Sequence, residues 1–210
     1  MAIERLSHAS SLPRDNEGVI LMYAGTFAPV HPGHADVMSA AATALIDRGE
    51  AIDMAIFVPK HDASLHSKLG DDAKTWDFNN RIDAFAGHES PLGDTVPTYV
   101  DDITGRVTYE GTIGDEALST VSRLGMAAAR GVLVMGSDRG DTAKTLISTN
   151  RIVCVRRPNY EDAIDKSAAK HPWLQEAIRD GRYIITNQQD PSLVISSTAI
   201  RAGAENGWGR

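Results

Sequence analysis

Cysteine is almost missing: the 210 residues contain only Cys154, inside the apolar run Ile152-Val153-Cys154-Val155. One thiol forms no intrachain disulfide and no thiolate metal cluster, so the expectation is a reducing, cytoplasmic setting and no resident protein-held metal. Long apolar runs are missing too. The alanine-rich stretch from Ala35 to Leu45 is broken by Asp36 and Ser39, well short of the ~20 residues that span a bilayer. Nor is there an excess of positive charge: 21 Lys and Arg stand against 28 Asp and Glu, a net charge of −7. That balance argues against nucleic acid or an anionic membrane as a partner, while leaving room for a local basic pocket. Residues 1–18 show no charged-then-apolar secretory pattern and read as a loose polar leader. What is present, 42% hydrophobic and 23% charged residues, suffices for one domain with its own core, expected over residues 19–210.

Within that domain, short apolar runs alternate with helical patterns. Val19 to Tyr23 predicts a buried strand, and the turn-rich Gly25-Thr26-Phe27-Ala28-Pro29 follows. A helix then places Val37, Met38, Ala41, Ala42, Leu45 and Ile46 on one face. Further strands are predicted at 52–58, around 98–100, at 131–135, 152–155, 183–186 and 193–195. Helices are predicted from about Asp77, from about Asp115, at 161–169, at 172–179 and at the C-terminal end. Residues 60–76 read as a long irregular connection. Repeated βα units with continuously apolar strands imply an α/β fold: a single Rossmann-like, doubly wound parallel sheet with helices on both faces and ligands at the carboxyl ends of its strands.

Two segments stand out against that frame. Gly25 to His34 joins the first predicted strand to the first predicted helix, and it ends in His31-Pro32-Gly33-His34. A helix N-terminus offers unpaired N–H groups and a positive dipole end, and a glycine admits a ligand close to the backbone. Each imidazole can donate to a phosphate oxygen. The alternative is a surface loop with incidental histidines, yet His-x-Gly-His arises by chance in a chain of this composition at roughly 2%. A metal pair is weaker still, with Asp36 the only carboxylate close by. The second segment, Ile195-Ser196-Ser197-Thr198-Ala199-Ile200-Arg201, has hydroxyls suited to an N-cap. It also carries Thr198 and Arg201 three apart, on one helix face, where a hydroxyl and a guanidinium can grip one phosphate chain.

Together these segments resemble the signature of the nucleotidyltransferase superfamily, most closely the nicotinamide/nicotinate mononucleotide adenylyltransferases. Val134-Met135-Gly136-Ser137-Asp138 resembles that family's Gly-x-Asp segment, and Arg157-Pro158-Asn159-Tyr160 its Arg-Pro-Gly-Tyr turn. Phe57-Val58-Pro59 with His66, Lys68 and Arg81 resembles the substrate-side loop more loosely. The resemblance implies that ATP and a mononucleotide are joined with release of pyrophosphate, Mg²⁺ accompanying the ATP. His31, His34 and Arg201 would carry catalysis. Gly25, Thr26, Phe27, Gly33, Gly136, Asp138, Ser197 and Thr198 would bind nucleotide, Asp138 at a ribose or adenosine group. Lys68 and Arg157 would be candidates for the mononucleotide phosphate, with Arg156 a further basic neighbour. A homo-oligomer is compatible with this reading.

The departures are specific. Ala28 stands where relatives carry a small polar or acidic residue, and Asn159 replaces a glycine. The segment after Asp138 lacks the tryptophan that many relatives stack on the pyridine ring. Trp76, Trp173 and Trp208 lie elsewhere, which leaves Trp76 as either a replacement stacker or a loop anchor. Phosphopantetheine adenylyltransferases share both segments. A cytidylyltransferase would carry Arg-x-Glu-Gly where Asp190-Pro191-Ser192 stands. A nucleotide sensor without turnover is the reading from a different class.

Overall fold

The computed structural model describes residues 1–7, 17–106, 113–138, 151–158, 160, 162–186 and 200–201, without the side chains of 67, 68, 72, 113, 114, 116 and 128. Seven strands lie among them: β1 (Glu4–Leu6), β2 (Val19–Gly25), β3 (Ile52–Pro59), β4 (Thr98–Asp101), β5 (Gly131–Gly136), β6 (Arg151–Val155) and β7 (Tyr183–Ile185). All pair in parallel in one sheet of order β1-β4-β3-β2-β5-β6-β7. The helices are α1 (Pro32–Ile46), α2 (Asp62–Leu69), α3 (Phe78–Phe85), α4 (Ile113–Arg123), α5 (Ala163–Lys170) and α6 (Pro172–Arg179).

Because successive strand residues point to opposite faces, the apolar run of β2 feeds two cores. Leu21 joins Val37, Met38, Ala41 and Leu45 of α1 and Ile82 and Phe85 of α3. Its neighbours Ile20 and Met22 join Ala117 and Val121 of α4, Ile164 of α5 and Leu174 of α6. Helices therefore cover both faces, the doubly wound arrangement expected from the alternating pattern. Cys154 lies in the second core, where burial pushes its thiol up to about 12. It is a packing residue. No helix among the described residues is long and apolar enough to cross a membrane.

Two expectations need correction. Residues 1–7 are no loose leader: β1 extends the sheet beyond β4, with Arg5 in register with Val100. Backbone bonds from Ile3 N–H to His88 O (2.7 Å) and from Ser90 N–H to Met1 O (2.8 Å) stitch it down, and Ile3 and Leu6 are buried. The connection 60–76 is not irregular either. It forms α2 and the 3₁₀ turns of Gly70–Trp76. His61 Nδ1 accepts from the Ala63 N–H at 3.0 Å and caps α2, while Leu65 and Ala73 pack against Ala28. The predicted strand at 193–195 lies outside the described residues.

Setting β1 aside, the order β4-β3-β2-β5-β6-β7 reverses direction at β2, which pairs with β3 on one side and β5 on the other. Ligands of open α/β sheets bind outside the carboxyl ends of the strands at such a reversal. The segments that leave β2 and β5 there are Thr26–His31 and Ser137-Asp138.

Candidate active site

The β2–α1 loop is held from several sides. Gly25 O accepts from the Lys60 N–H at 2.9 Å. A Cβ on Gly25 would stand 3.1 Å from the Phe27 ring, so glycine here lets that ring fold back over the strand end. Phe27 takes a left-handed φ of 49°, rare for a bulky residue, and its ring meets Tyr23, His34 and Phe85 edge-on at 5.3, 4.9 and 5.0 Å. Ala28 packs with Leu65 and Ala73, and Trp76 rests against the same cluster. That contact gives Trp76 an anchoring role. Trp173 belongs to the second core, and Trp208 lies outside the described residues.

His31 is the N-cap of α1 in extended conformation, and Pro32 occupies the first turn, where its fixed φ suits a helix start. The His31 N–H donates to His34 Nδ1 at 3.2 Å, and the His34 N–H donates to His31 O at 3.0 Å. The two rings stack 3.7 Å apart between centroids, with Gly33 buried between them in sequence. Since His34 Nδ1 is an acceptor, the proton of the neutral ring sits on Nε2, which is free to act as a donor. Burial draws His34 well below the ordinary 6.5, with the charges of His31 and Arg157 adding to the effect. Burial, and after it Arg157, brings His31 to about 4. Both imidazoles are therefore neutral at pH 7. His31 Nδ1 is buried with no hydrogen-bond partner among the described residues.

β5 and β6 leave the sheet side by side, Gly136 in register with Val155. The Arg157 N–H donates to Ser137 Oγ at 3.0 Å, and the Arg157 guanidinium stands 3.5 Å from Asp138. A Cβ on Gly136 would fall 2.5 Å from Asp138 Oδ1 and 2.8 Å from Arg157 Cδ; only glycine leaves room for both. Arg157 thus reaches the histidines electrostatically. Arg156 does not: it turns to α5 and forms a two-pronged pair with Asp165 at 2.9 and 3.1 Å.

Arg201 arrives from the far end of the chain, 173 residues away, and its Nη1 donates to the carbonyl of Ala28. The structure therefore brings Gly25, Thr26, Phe27, His31, Gly33, His34 and Arg201 to one loop, with Gly136, Asp138 and Arg157 on the adjoining strand ends. Ser197 and Thr198 lie outside the described residues, as does the Lys68 side chain. Sequence reasoning gave little weight to Arg81, which is fully buried beneath the loop. Its only signal was its place in a loose resemblance.

Among the described residues no cluster of three or more His, Cys, Asp and Glu could hold a metal ion. Mg²⁺ commonly needs no more than one or two carboxylates beside substrate phosphates and water, and a site of imidazole and guanidinium donors with Asp138 alongside fits an ion carried in by a polyphosphate.

A parallel sheet that gathers such donors at its switch point is an arrangement suited to phosphate groups. A family-model comparison matches residues 22–203, and the chain belongs to the Cytidylyltransferase-like family, within the nucleotidyltransferase superfamily. It is accordingly a nucleotidyltransferase. No curated protein matches the sequence.

Proposed function

We propose that the chain is an adenylyltransferase that joins ATP to nicotinamide or nicotinate mononucleotide. The mononucleotide 5′-phosphate oxygen attacks the α-phosphorus of ATP in line, the bond to the bridging oxygen breaks, and pyrophosphate leaves. The observation that carries this reading is the meeting of Arg201 with the His31–His34 loop across the length of the chain. No protein nucleophile is required, because such a transfer is accelerated by alignment and by stabilising charge on equatorial and leaving oxygens.

In this reading the neutral His34 donates from Nε2 to an α- or β-phosphate oxygen as charge develops there. His31 donates beside it. Arg201, with Ser197 and Thr198, takes the β- and γ-phosphates and the departing pyrophosphate. Arg157 and Lys68 serve the mononucleotide phosphate, and Asp138 a ribose hydroxyl. Asp138 would be the neighbouring carboxylate for a Mg²⁺ that enters with the ATP, and that ion would supply charge neutralisation for the leaving pyrophosphate. Adenylyl rather than cytidylyl transfer is favoured by Asp190-Pro191-Ser192 standing where cytidylyltransferases carry Arg-x-Glu-Gly. The cytoplasm is the location this reading assigns.

The test is pyrophosphate release from ATP and from CTP across nicotinamide mononucleotide, nicotinate mononucleotide and phosphopantetheine. Release with ATP and a pyridine mononucleotide supports the proposal. Release only with phosphopantetheine, or only from CTP, reassigns the substrates, and nucleotide binding without release for any acceptor makes the chain a sensor.

A further inference from the structure

The Arg81 side chain is fully buried, yet it carries a charge whose removal from water is expensive. Its guanidinium draws together separate parts of the chain. Nη2 pairs with Asp62 at 2.6 Å, Nε donates to Trp76 O at 2.9 Å, and Nη1 donates to Thr26 O at 3.0 Å. Asp62 in turn accepts from the Phe78 N–H at 3.2 Å. An apolar pair of similar volume in place of Arg81 and Asp62 would often serve stability as well. What it could not do is donate to a carbonyl of the β2–α1 loop, 55 residues away in the sequence.

The Thr26 carbonyl shares a planar trans peptide with the Phe27 N–H, and the two point in opposite directions. Holding the one therefore aims the other. Phe27 is 2% exposed, and its N–H has no acceptor among the described residues. A main-chain N–H left without a protein acceptor in a mostly buried residue is uncommon, and this one belongs to the residue whose ring lies 4.9 Å from that of His34. We propose that Arg81 is a positioning residue of the transfer site: by holding the Thr26 carbonyl it presents the Phe27 N–H to a phosphate oxygen of the bound nucleotide. The inference rests on the proposed phosphate-transfer reading for its consequence on rate. The geometry it invokes can be read without turnover.

The chain contains 4 phenylalanines, so protein labelled with ¹⁵N-phenylalanine gives a sparse amide spectrum in which a Phe27→Leu control identifies one signal. In the wild-type chain, inorganic pyrophosphate and then ATP with Mg²⁺ should move the Phe27 amide downfield. In Arg81→Lys, which keeps the charge but loses the planar fork, that response should be lost. Its kcat should fall about 10- to 100-fold while KM for ATP and the melting temperature change little. Asp62→Asn, at a partly exposed partner, should move kcat in the same direction by a smaller factor. A Phe27 amide that ignores saturating pyrophosphate in the wild-type chain overturns the proposal. So does an Arg81→Lys protein with a lowered melting temperature but unchanged kcat and an unchanged Phe27 response, the outcome of a merely structural role. If Arg81→Lys fails to fold, the wild-type titration and Asp62→Asn decide. A wild-type chain whose Phe27 amide responds, but which transfers no nucleotidyl group, would remove the transfer reading and leave the assignment of Arg81 standing.

Discussion

The loop after β2 and the strand ends of β5 and β6 adjoin at the carboxyl end of the sheet but are built differently. On the first side the carbonyls of Gly25, Thr26 and Ala28 are taken by Lys60, Arg81 and Arg201, Phe27 sits in a nest of rings, and both histidines are buried and neutral. On the second side the charged pair Asp138–Arg157 is 3.5 Å apart with both side chains partly open to water. The first side is preorganised. In the proposed reading it stabilises charge at the reacting phosphorus with little rearrangement. The second is loosely paired and able to exchange its internal partner for a ligand. The two are coupled, because the Arg157 charge helps keep the histidines unprotonated.

Breaking the rigid side should cost most. His34→Ala or Arg201→Ala should lower the rate of pyrophosphate release by ~10² or more, the scale for losing one transition-state donor. Near-normal turnover in either would remove that residue from its role. Gly136→Ala probes the adjustable side. The added methyl, 2.5 Å from Asp138 Oδ1, must separate Asp138 from Arg157, and turnover should drop by about tenfold with little change in melting temperature, because the displaced groups are partly exposed.

The coupling between the sides has a pH signature. His31 titrates near 6.5 when unfolded and near 4 when folded, so the unfolded chain binds its proton first on acidification. Its contribution is fully present above about pH 6.5 and is lost as pH falls toward 4, amounting to about 3 kcal/mol for a shift of that size. Urea unfolding followed from pH 7 to pH 4 should show at least that slope, and His31→Gln should reduce it without abolishing it, because His34 is also drawn below 6.5. Arg157→Gln should raise the His31 titration toward 6.5 in imidazole spectra; an unmoved titration would show that the two sides are independent. Arg156→Ala should do least. Its partner Asp165 is 60% exposed, such pairs contribute about 1 kcal/mol or less, and pyrophosphate release should remain at the wild-type rate.

How legible each region was in the sequence follows from the same contrast. The β2–α1 junction was readable because its signals are local: a continuous apolar run, a proline-and-glycine turn, histidines beside a helix start. The sheet was readable for the same reason, since each of its central strands is apolar on both faces. β1 escaped notice because it offers only Ile3 and Leu6, and its pairing depends on β4 and on backbone bonds to residues near position 88. α2 escaped because a polar sequence with few apolar residues, Leu65 and Leu69 among them, carries almost no helical period. Packing on Ala28 decides its fate. Arg81 was underweighted because a charged residue in a helical pattern reads as solvated, and its burial depends on acceptors from distant segments. Neighbours Arg156 and Arg157 could not be told apart in the sequence, although Arg156 pairs with Asp165 of α5 and Arg157 with Asp138 beyond β5.

The central claim is that His34 and Arg201, far apart in the chain, act on one polyphosphate. A double-mutant cycle on kcat/KM for pyrophosphate release, comparing His34→Ala, Arg201→Ala and the double variant, tests it most directly. Residues that work as a unit are strongly non-additive, so the double variant should be scarcely slower than the worse single one. Losses that multiply, as for distant and independent sites, would contradict the shared cradle.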